Sequence, residues 1–389
     1  MKVIFYANTD WYLYNFRLST AQRLQADGHE VVMLSPPGPF GGRFAARGFR
    51  WITLPMDRAS LNPLREAVTF RHLVRVLRRE QPDLLHNFTV KCAVYGGAAA
   101  RLAGVPATVN AVAGLGYVFT SNGLKARCLR PLVQTLMRAT LDHRRSLLVL
   151  QNPDDADIFR RARLVARDRI HVIRSSGVDT SRFRPSSMSG SEGRLRVLLA
   201  ARLLWEKGIG EYVEAARLLR KQGRDIEFVL AGAPDPGNPR SVDEAQVERW
   251  AAEGVITWLG HVEDMPALLS TIDVMTLPSY YREGVPKSLI EGAAAGLALI
   301  TTDQPGCREV VTRHGIDGLV VPPRNAAALA QLVARLDDDR TLLRRLGERA
   351  REKAIAEFDE RMVIQRTIDV YERLLGTDMP GGSLAGTAS

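Results

Sequence analysis

The amino-acid sequence predicts an α/β protein built from two doubly wound, parallel-sheet domains in series. Three observations carry this expectation. Short apolar runs of strand length alternate with segments of helical spacing. The alternation occurs twice, once on each side of a polar Gly/Ser-rich stretch. The length of 389 residues suits two domains of ~150–200 residues each. Repeated strand–helix–strand units imply parallel sheets covered by helices on both faces.

In the first half, buried strands are expected at Val3–Ala7, Val31–Leu34, Trp51–Leu54, Leu84–His86, Thr108–Val112 and Leu147–Leu150. Helical spacing marks Asn15–Ala26, Pro63–Glu80, Ala93–Leu102 and Leu124–Arg145. In the second half, strands are expected at Arg196–Ala200, Glu227–Ala231, Ile256–Leu259, Val274–Leu277, Leu299–Thr301 and Gly318–Val320. The helices there are Ile209–Lys221, Val242–Glu253, Lys287–Ala295, Ala326–Leu336 and Arg340–Glu357. The boundary falls at Gly177-Val178-Asp179, followed by the linker-like PSSMSGSEG of 185–193. The expected domains are therefore 1–178 and 179–375, the second carrying the terminal helices. The tail 376–389 lacks apolar periodicity and reads as disordered. Ligands of such sheets bind beyond the carboxyl ends of the strands, so a central cleft between two facing sheets is the expected site.

Composition narrows the class. Apolar residues make up 46 % and charged residues 25 %, the balance of a globular protein with a sizeable core. No apolar run approaches the ~18–20 residues of a membrane span, and MKVIFYANTD does not read as a signal peptide. Cys92, Cys128 and Cys307 show no metal-ligand spacing, which fits a reduced cytoplasm. The net charge of +10 is unevenly spread: residues 1–180 hold 26 Lys and Arg against 13 Asp and Glu, whereas residues 181–389 hold 27 against 30. A basic first half points to a polyanionic partner, either nucleic acid or an anionic membrane surface, with a solvated Arg-rich surface as the plain alternative.

The strongest chemical signal is SYYREGVPKSLIEGAAAG, residues 279–296. It follows the strand 274–277 and opens a helix. Backbone N–H groups of Gly284, Val285, Lys287 and Ser288, around Pro286, then lie at a helix N-terminus that favours anions. Glu283 stands at the mouth and Glu291 two turns in, and each carboxylate can accept hydrogen bonds from hydroxyl-rich ligands. The second signal is ARLLWEKG, residues 201–208. Arg202 and Lys207 on one short loop form a two-cation clamp for a diphosphate. Gly232, after a strand, allows close approach of a nucleotide. His261 and Val262 follow another strand, where backbone meets a base edge. No Asp-x-Asp metal motif precedes a strand end, and Asp337-Asp338-Asp339 reads as a solvated turn. No metal site and no cofactor are expected.

These residues resemble glycosyltransferase family 4, retaining enzymes with two Rossmann-like domains (GT-B). The resemblance rests on Glu283-x7-Glu291, AAAG at 293–296, Pro305-Gly306-Cys307-Arg308-Glu309 and the Arg202-x4-Lys207-Gly208 spacing. It implies that Glu283 faces the donor sugar, Glu291 the ribose hydroxyls, and the two cations the leaving diphosphate without need of a metal. It also implies that the 260–262 stretch holds the uracil or other base. The first half is similar to the subgroup extending polyprenyl-diphosphate-linked sugars in O-antigen, capsule or glycoprotein glycan assembly. The stretches NTDWYLYNFR (8–17), HNFTVK (86–91), NAVAGLGYVF (110–119) and QNPDD (151–155) carry that likeness. It places Asp10, Asn15, His86, Lys91, Asn110, Gly114, Gly116 and Tyr117 on the acceptor. The chain departs from the family in two places. Asn8-Thr9-Asp10 replaces a Gly-Gly turn after the first strand, and Ala113 stands where many members carry a His.

The Arg-rich segments 63–80 and 124–145 have the composition of helices that lie on anionic lipid, although packing on the sheet explains their apolar positions equally. The sequence thus reads as a hexosyl- or N-acetylhexosaminyltransferase. Its expected donor is a nucleotide-sugar, UDP-linked, and its acceptor a polyprenyl-diphosphate saccharide. Its expected place is the cytoplasm, bound peripherally to the inner face of the plasma membrane, with no nucleic-acid partner. The rivals are a glycosyltransferase with a soluble sugar or sugar-phosphate acceptor, a nucleotide-sugar epimerase, or a basic nucleic-acid-binding protein, which lacks any recognised module here.

Overall fold

The computed structural model describes residues 1–57, 60, 62–114, 124–186, 193–235 and 237–376, with the side chains of 124–129 and 132 excepted. It divides into two compact units. One is Met1–Ser176 together with the chain from Val363 onward, and the other is Gly177–Met362.

The first unit is a seven-stranded sheet. Its strands are β1 (Lys2–Tyr6), β2 (Glu30–Ser35), β3 (Arg50–Thr53), β4 (Leu84–Phe88), β5 (Ala107–Val112), β6 (Ser146–Leu150) and β7 (Ile170–Val172). Their order is β3-β2-β1-β4-β5-β6-β7, every pairing parallel. β1, β4, β5 and β6 are buried along nearly their whole length, which is why they read as continuous apolar runs rather than alternating ones. The helix Pro63–Glu80 has the predicted bounds, fixed by Pro at its first position and by the Asn62 side chain, which accepts from Leu64 N–H at 3.0 Å. Its Leu73, Val76 and Leu77 pack on the sheet, whereas Arg65, Arg71, Arg75, Arg78 and Arg79 are exposed.

The second unit is a six-stranded parallel sheet. It comprises β8 (Leu195–Ala200), β9 (Ile226–Ala231), β10 (Thr257–Trp258), β11 (Val274–Leu277), β12 (Ala298–Thr302) and β13 (Leu319–Val321). Their order is β10-β9-β8-β11-β12-β13. Both sheets reverse strand order at one point, between β1 and β4 and between β8 and β11. In open α/β sheets such reversals are where ligands bind, beyond the strand ends.

Four features depart from the sequence expectations. The expected helix 15–26 is two helices, Asp10–Phe16 and Leu18–Ala26, the first capped by Thr9, which accepts from Tyr12 N–H at 3.1 Å. β7 and the helix Pro153–Arg161 were not anticipated. The terminal helix Glu360–Leu375 groups from Val363 onward with the first unit, not the second. Its Val363, Ile364, Ile368 and Tyr371 enter the core formed by Phe5 and Phe88. An apolar stripe shows that a helix is covered but not by which sheet. Finally, Asp337-Asp338-Asp339 is not a free turn. Arg224 pairs with Asp337 and Asp338 at 3.1 and 2.7 Å, and Asp339 caps the next helix through Leu342 N–H. The tail beyond residue 376 and most of the expected 185–193 linker lie outside the described residues.

Candidate functional site

In the second unit the two strongest motifs meet at the strand-order reversal. Arg202 and Lys207 follow β8, and Glu283 follows β11. One turn of 3-10 helix, Trp205–Lys207, ends at Gly208, whose φ is +79°. A Cβ there would sit 2.4 Å from the Pro278 carbonyl oxygen, so glycine lets the β8 loop lie against the end of β11. Lys207 Nζ consequently reaches Glu283 Oε1 at 2.5 Å, with the two side chains only 14 % and 12 % exposed. Ser279 Oγ also donates to Glu283 Oε1 at 3.0 Å. Glu283 is held from the other side by its own N–H, which donates to the Pro305 carbonyl at 3.1 Å. Gly306, at φ +85°, brings its backbone so close that a Cβ would meet the Gly284 carbonyl. The Pro305-Gly306 element thus braces the Glu283-Gly284 turn.

The helix Lys287–Ala294 starts after Pro286 with no side-chain cap, its first turn holding half-buried Lys287 and Ser288 beside buried Val285. Its N-terminus carries the positive end of the helix dipole. Glu291 lies one turn in, 3.9 Å from Lys287 Nζ and 12 % exposed. Burial raises its carboxyl above the usual range, with Lys287 and Arg182 pulling the other way. Arg202 differs from Lys207: it is 58 % exposed and pairs with Asp235 at 2.7 Å. Gly232 follows β9 at φ +140°, where a Cβ would lie 1.9 Å from the Ala201 carbonyl. Its N–H donates to Gly260 at 2.6 Å, and its carbonyl accepts from Trp258 Nε1 at 2.9 Å. His261 is exposed and Val262 half-buried on the same edge. Cys307, beside Glu283, is buried and its thiol is pushed up to about 12, so it is no nucleophile. No sequence motif signalled Arg324, which stacks on Tyr280 at 4.4 Å just after β11.

The first-unit residues are positioned differently from one another. The buried Asp10 carboxylate accepts from Trp11 N–H at 2.8 Å and Phe40 N–H at 2.6 Å, holding the 38–40 turn. Lys91 Nζ donates to the Asp57 and Ser60 carbonyls and pairs with Glu66 at 2.9 Å. Asn110 is fully buried between Asn87 and Ser146, joining β4, β5 and β6. Asn15 bonds the Trp11 carbonyl at 2.9 Å. Asp10, Lys91 and Asn110 are therefore engaged inside the unit. Gly114, at φ +87°, faces open space. Gly116 and Tyr117 lie outside the described residues. His86 is buried, with Nδ1 2.5 Å from the Tyr371 hydroxyl and Nε2 unpartnered. Burial, and after it the Arg17 charge, holds its pKa well below the usual value. Arg17 was not singled out in the sequence, because nothing in the spacing separates it from the other arginines.

Among the described residues no group of three His, Cys, Asp or Glu side chains forms a metal site, and no helix is long and apolar enough to cross a membrane. Residues 186–353 match the family Glycosyl transferases group 1, and residues 2–149 match Glycosyl transferase 4-like. With the two-sheet fold, these matches make the chain a glycosyltransferase of GT-B architecture. The sequence is 29 % identical to the N,N'-diacetylbacillosaminyl-diphospho-undecaprenol alpha-1,3-N-acetylgalactosaminyltransferase of Campylobacter jejuni, over 96 % of this chain and 99 % of that one. It is 25 % identical to the UDP-Gal:alpha-D-GlcNAc-diphosphoundecaprenol alpha-1,3-galactosyltransferase of Escherichia coli, over 77 % of each. The fold is similar to Anabaena Alr3699/HepE in complex with UDP-glucose, with a TM-score of 0.77 and 19 % identity over 97 % of this chain and 100 % of that one.

Proposed function

We propose that the protein transfers a hexose or N-acetylhexosamine from a UDP-sugar to a polyprenyl-diphosphate-linked saccharide, with retention at the anomeric carbon. The observation carrying this reading is the near full-length likeness to the C. jejuni enzyme, whose named substrate is a diphospho-undecaprenol sugar. The E. coli relative, named for UDP-Gal and a diphosphoundecaprenol acceptor, supports the same pairing. Both are named for alpha products, and an alpha product from an alpha-linked nucleotide-sugar is retention.

In the proposed reaction the bond between the anomeric carbon and the diphosphate oxygen breaks. The acceptor hydroxyl forms the new bond from the same face and gives its proton to the departing phosphate. Lys207, Arg202 and the N-terminus of helix Lys287–Ala294 stabilise the charge on the diphosphate. Glu283 accepts a hydroxyl of the donor sugar once Lys207 turns to phosphate, and Glu291 accepts the ribose hydroxyls. These cations replace a divalent metal. Gly232 and the 260–262 edge approach the base.

The lipid side of the reading is supported by a mostly apolar groove of about 680 Å³, lined by Pro36, Pro37, Pro55, Met56, Leu64 and Val68 with Asp57, Arg65, Glu66 and Thr69 among them. Leu64 and Val68 are 79 % and 66 % exposed beside the exposed arginines of the same helix. That surface suits an anionic leaflet and supports peripheral attachment to the inner face of the plasma membrane. The test is nucleotide release from UDP-, GDP- and ADP-sugars with and without a polyprenyl-diphosphate sugar. Release from UDP-sugars that depends on the lipid-linked acceptor supports the reading. Release driven only by soluble sugars replaces it with a soluble acceptor.

A further inference from the structure

A small, largely enclosed cavity opens in the first unit near the ends of β4, β5 and β6, lined among others by Arg17, His86, Gln151 and Ser175. Three of its lining residues carry a buried polar atom that has no partner: Arg17 Nε, His86 Nε2 and Ser175 Oγ. All three residues are more than nine-tenths buried, at 7 %, 2 % and 3 % exposure. Unpaired buried polar atoms are rare, and three on residues that line one cavity indicate a missing partner.

The chemistry of that partner follows from the donors. Arg17 stacks on Phe88 at 4.6 Å and donates from Nη2 to the Tyr12 hydroxyl at 2.9 Å, which anchors its guanidinium at the cavity wall. No carboxylate pairs with it among the described residues, so a buried positive charge lacks its counter-charge. The Tyr371 hydroxyl, kept protonated by burial, lies 2.5 Å from His86 Nδ1, and with the hydroxyl as donor the imidazole proton sits on Nε2. Ser175 holds its hydroxyl there from a left-handed backbone at φ +67°, a conformation that serine seldom adopts. The set is thus two N–H donors, one hydroxyl and one net positive charge. The free space, about 10 Å³, seats a single oxygen atom.

We propose that Arg17, His86 and Ser175 form an oxyanion seat that takes one oxygen of a phosphate-type group. The seat deepens the proposed function and rests on it for the source of that oxygen: the diphosphate of the lipid-linked acceptor. It is separate from the cations after β8, which belong to the other unit. An ordered water in place of an anion is the alternative occupant.

Calorimetry of inorganic pyrophosphate binding separates these sources, using the full chain carrying Arg202→Ala and Lys207→Ala so that the second-unit cations are removed. The expected result is that this variant still binds pyrophosphate. Adding Arg17→Gln weakens binding by about tenfold or more, and Arg17→Lys weakens it less. Ser175→Gly deletes the hydroxyl while relieving the left-handed backbone, so it keeps the fold and weakens binding by about threefold or more. Absence of pyrophosphate binding, or equal binding with Arg17→Gln and Ser175→Gly, overturns the seat and leaves a water site. Transfer kinetics give the second arm. Ser175→Gly raises KM for a diphosphate-linked acceptor by about threefold or more, and raises it more than the KM of an alkyl glycoside acceptor. Equal effects on both acceptors overturn the assignment to the acceptor's diphosphate. Intact pyrophosphate binding without transfer to any lipid-linked sugar keeps the seat and defeats the proposed acceptor instead.

Discussion

Replacing the two cations after β8 one at a time should give unequal losses. Lys207 is 14 % exposed and clasped by Glu283, whereas Arg202 is 58 % exposed and pairs with Asp235 at the rim. A preorganised cation facing charge that develops on the diphosphate stabilises the transition state by ~2–4 kcal/mol. Lys207→Ala should therefore lower turnover about 30- to 1,000-fold, at ~1.4 kcal/mol per tenfold. Arg202, screened by solvent, should contribute ~0.5–1 kcal/mol, a loss of about two- to fivefold. Lys207→Ala also strips the nearly buried Glu283 of its cation, which should cost ~3 kcal/mol of stability. Adding Glu283→Gln should restore most of that stability, because the amide still accepts from Ser279, but not the activity. The assay is nucleotide release under saturating donor, beside denaturant unfolding of each variant. Equal losses for Lys207→Ala and Arg202→Ala, or near-normal turnover in Lys207→Ala, would refute the reasoning.

Other expectations follow from the same geometry. Gly306→Ala should reduce turnover at least about tenfold with the sheet intact by circular dichroism, since a Cβ there collides with the Gly284 carbonyl and displaces the Glu283 turn. Activity should persist in excess chelator, because Lys207 and Arg202 supply the charge on the diphosphate side; total loss restored by Mn²⁺ or Mg²⁺ would contradict this. Binding to anionic vesicles should weaken as salt rises and fall further in Leu64→Asp/Val68→Asp, each exposed basic residue contributing ~1 kcal/mol near the surface; equal binding to neutral vesicles would remove the membrane reading. Stability should also depend on pH. His29, His86 and His171 all have lowered folded pKa values, chiefly through burial. Below about pH 6.5 the unfolded chain binds protons that the folded chain does not, so stability falls by up to ~1.4 kcal/mol per pH unit for each such histidine. Unfolding of the chain between pH 7.5 and 5.5 checks this, and His86→Gln should flatten the slope.

Much of the architecture was legible because parallel strands buried on both faces leave continuous apolar runs. β11 and the helices 63–80 and 209–221 have their expected bounds for that reason and because their ends carry Pro, Gly or a capping Asn. The meeting of the two second-unit motifs was legible because they lie in two short stretches, each just after a strand. What sequence spacing does not contain is which partner a side chain finds. Lys207 and Arg202 look alike on one loop, yet Lys207 is nearly buried against Glu283 whereas Arg202 pairs with Asp235 at the exposed rim. Asp10, Lys91 and Asn110 have the right chemistry for an acceptor, but long-range contacts with Phe40, Glu66 and Ser146 engage them. The return of Tyr371 to His86 spans 285 residues and leaves no local trace.

The most direct test of the proposed reaction is mass spectrometry of lipid products. The purified chain is incubated with a short-chain polyprenyl-diphosphate N-acetylhexosamine and a set of UDP-sugars. The expected result is a lipid-linked product one hexose or N-acetylhexosamine heavier, alpha-linked by NMR, formed by the wild type and lost with Lys207→Ala. An unchanged lipid alongside a converted free UDP-sugar, or a beta-linked product, would contradict the proposed transfer with retention.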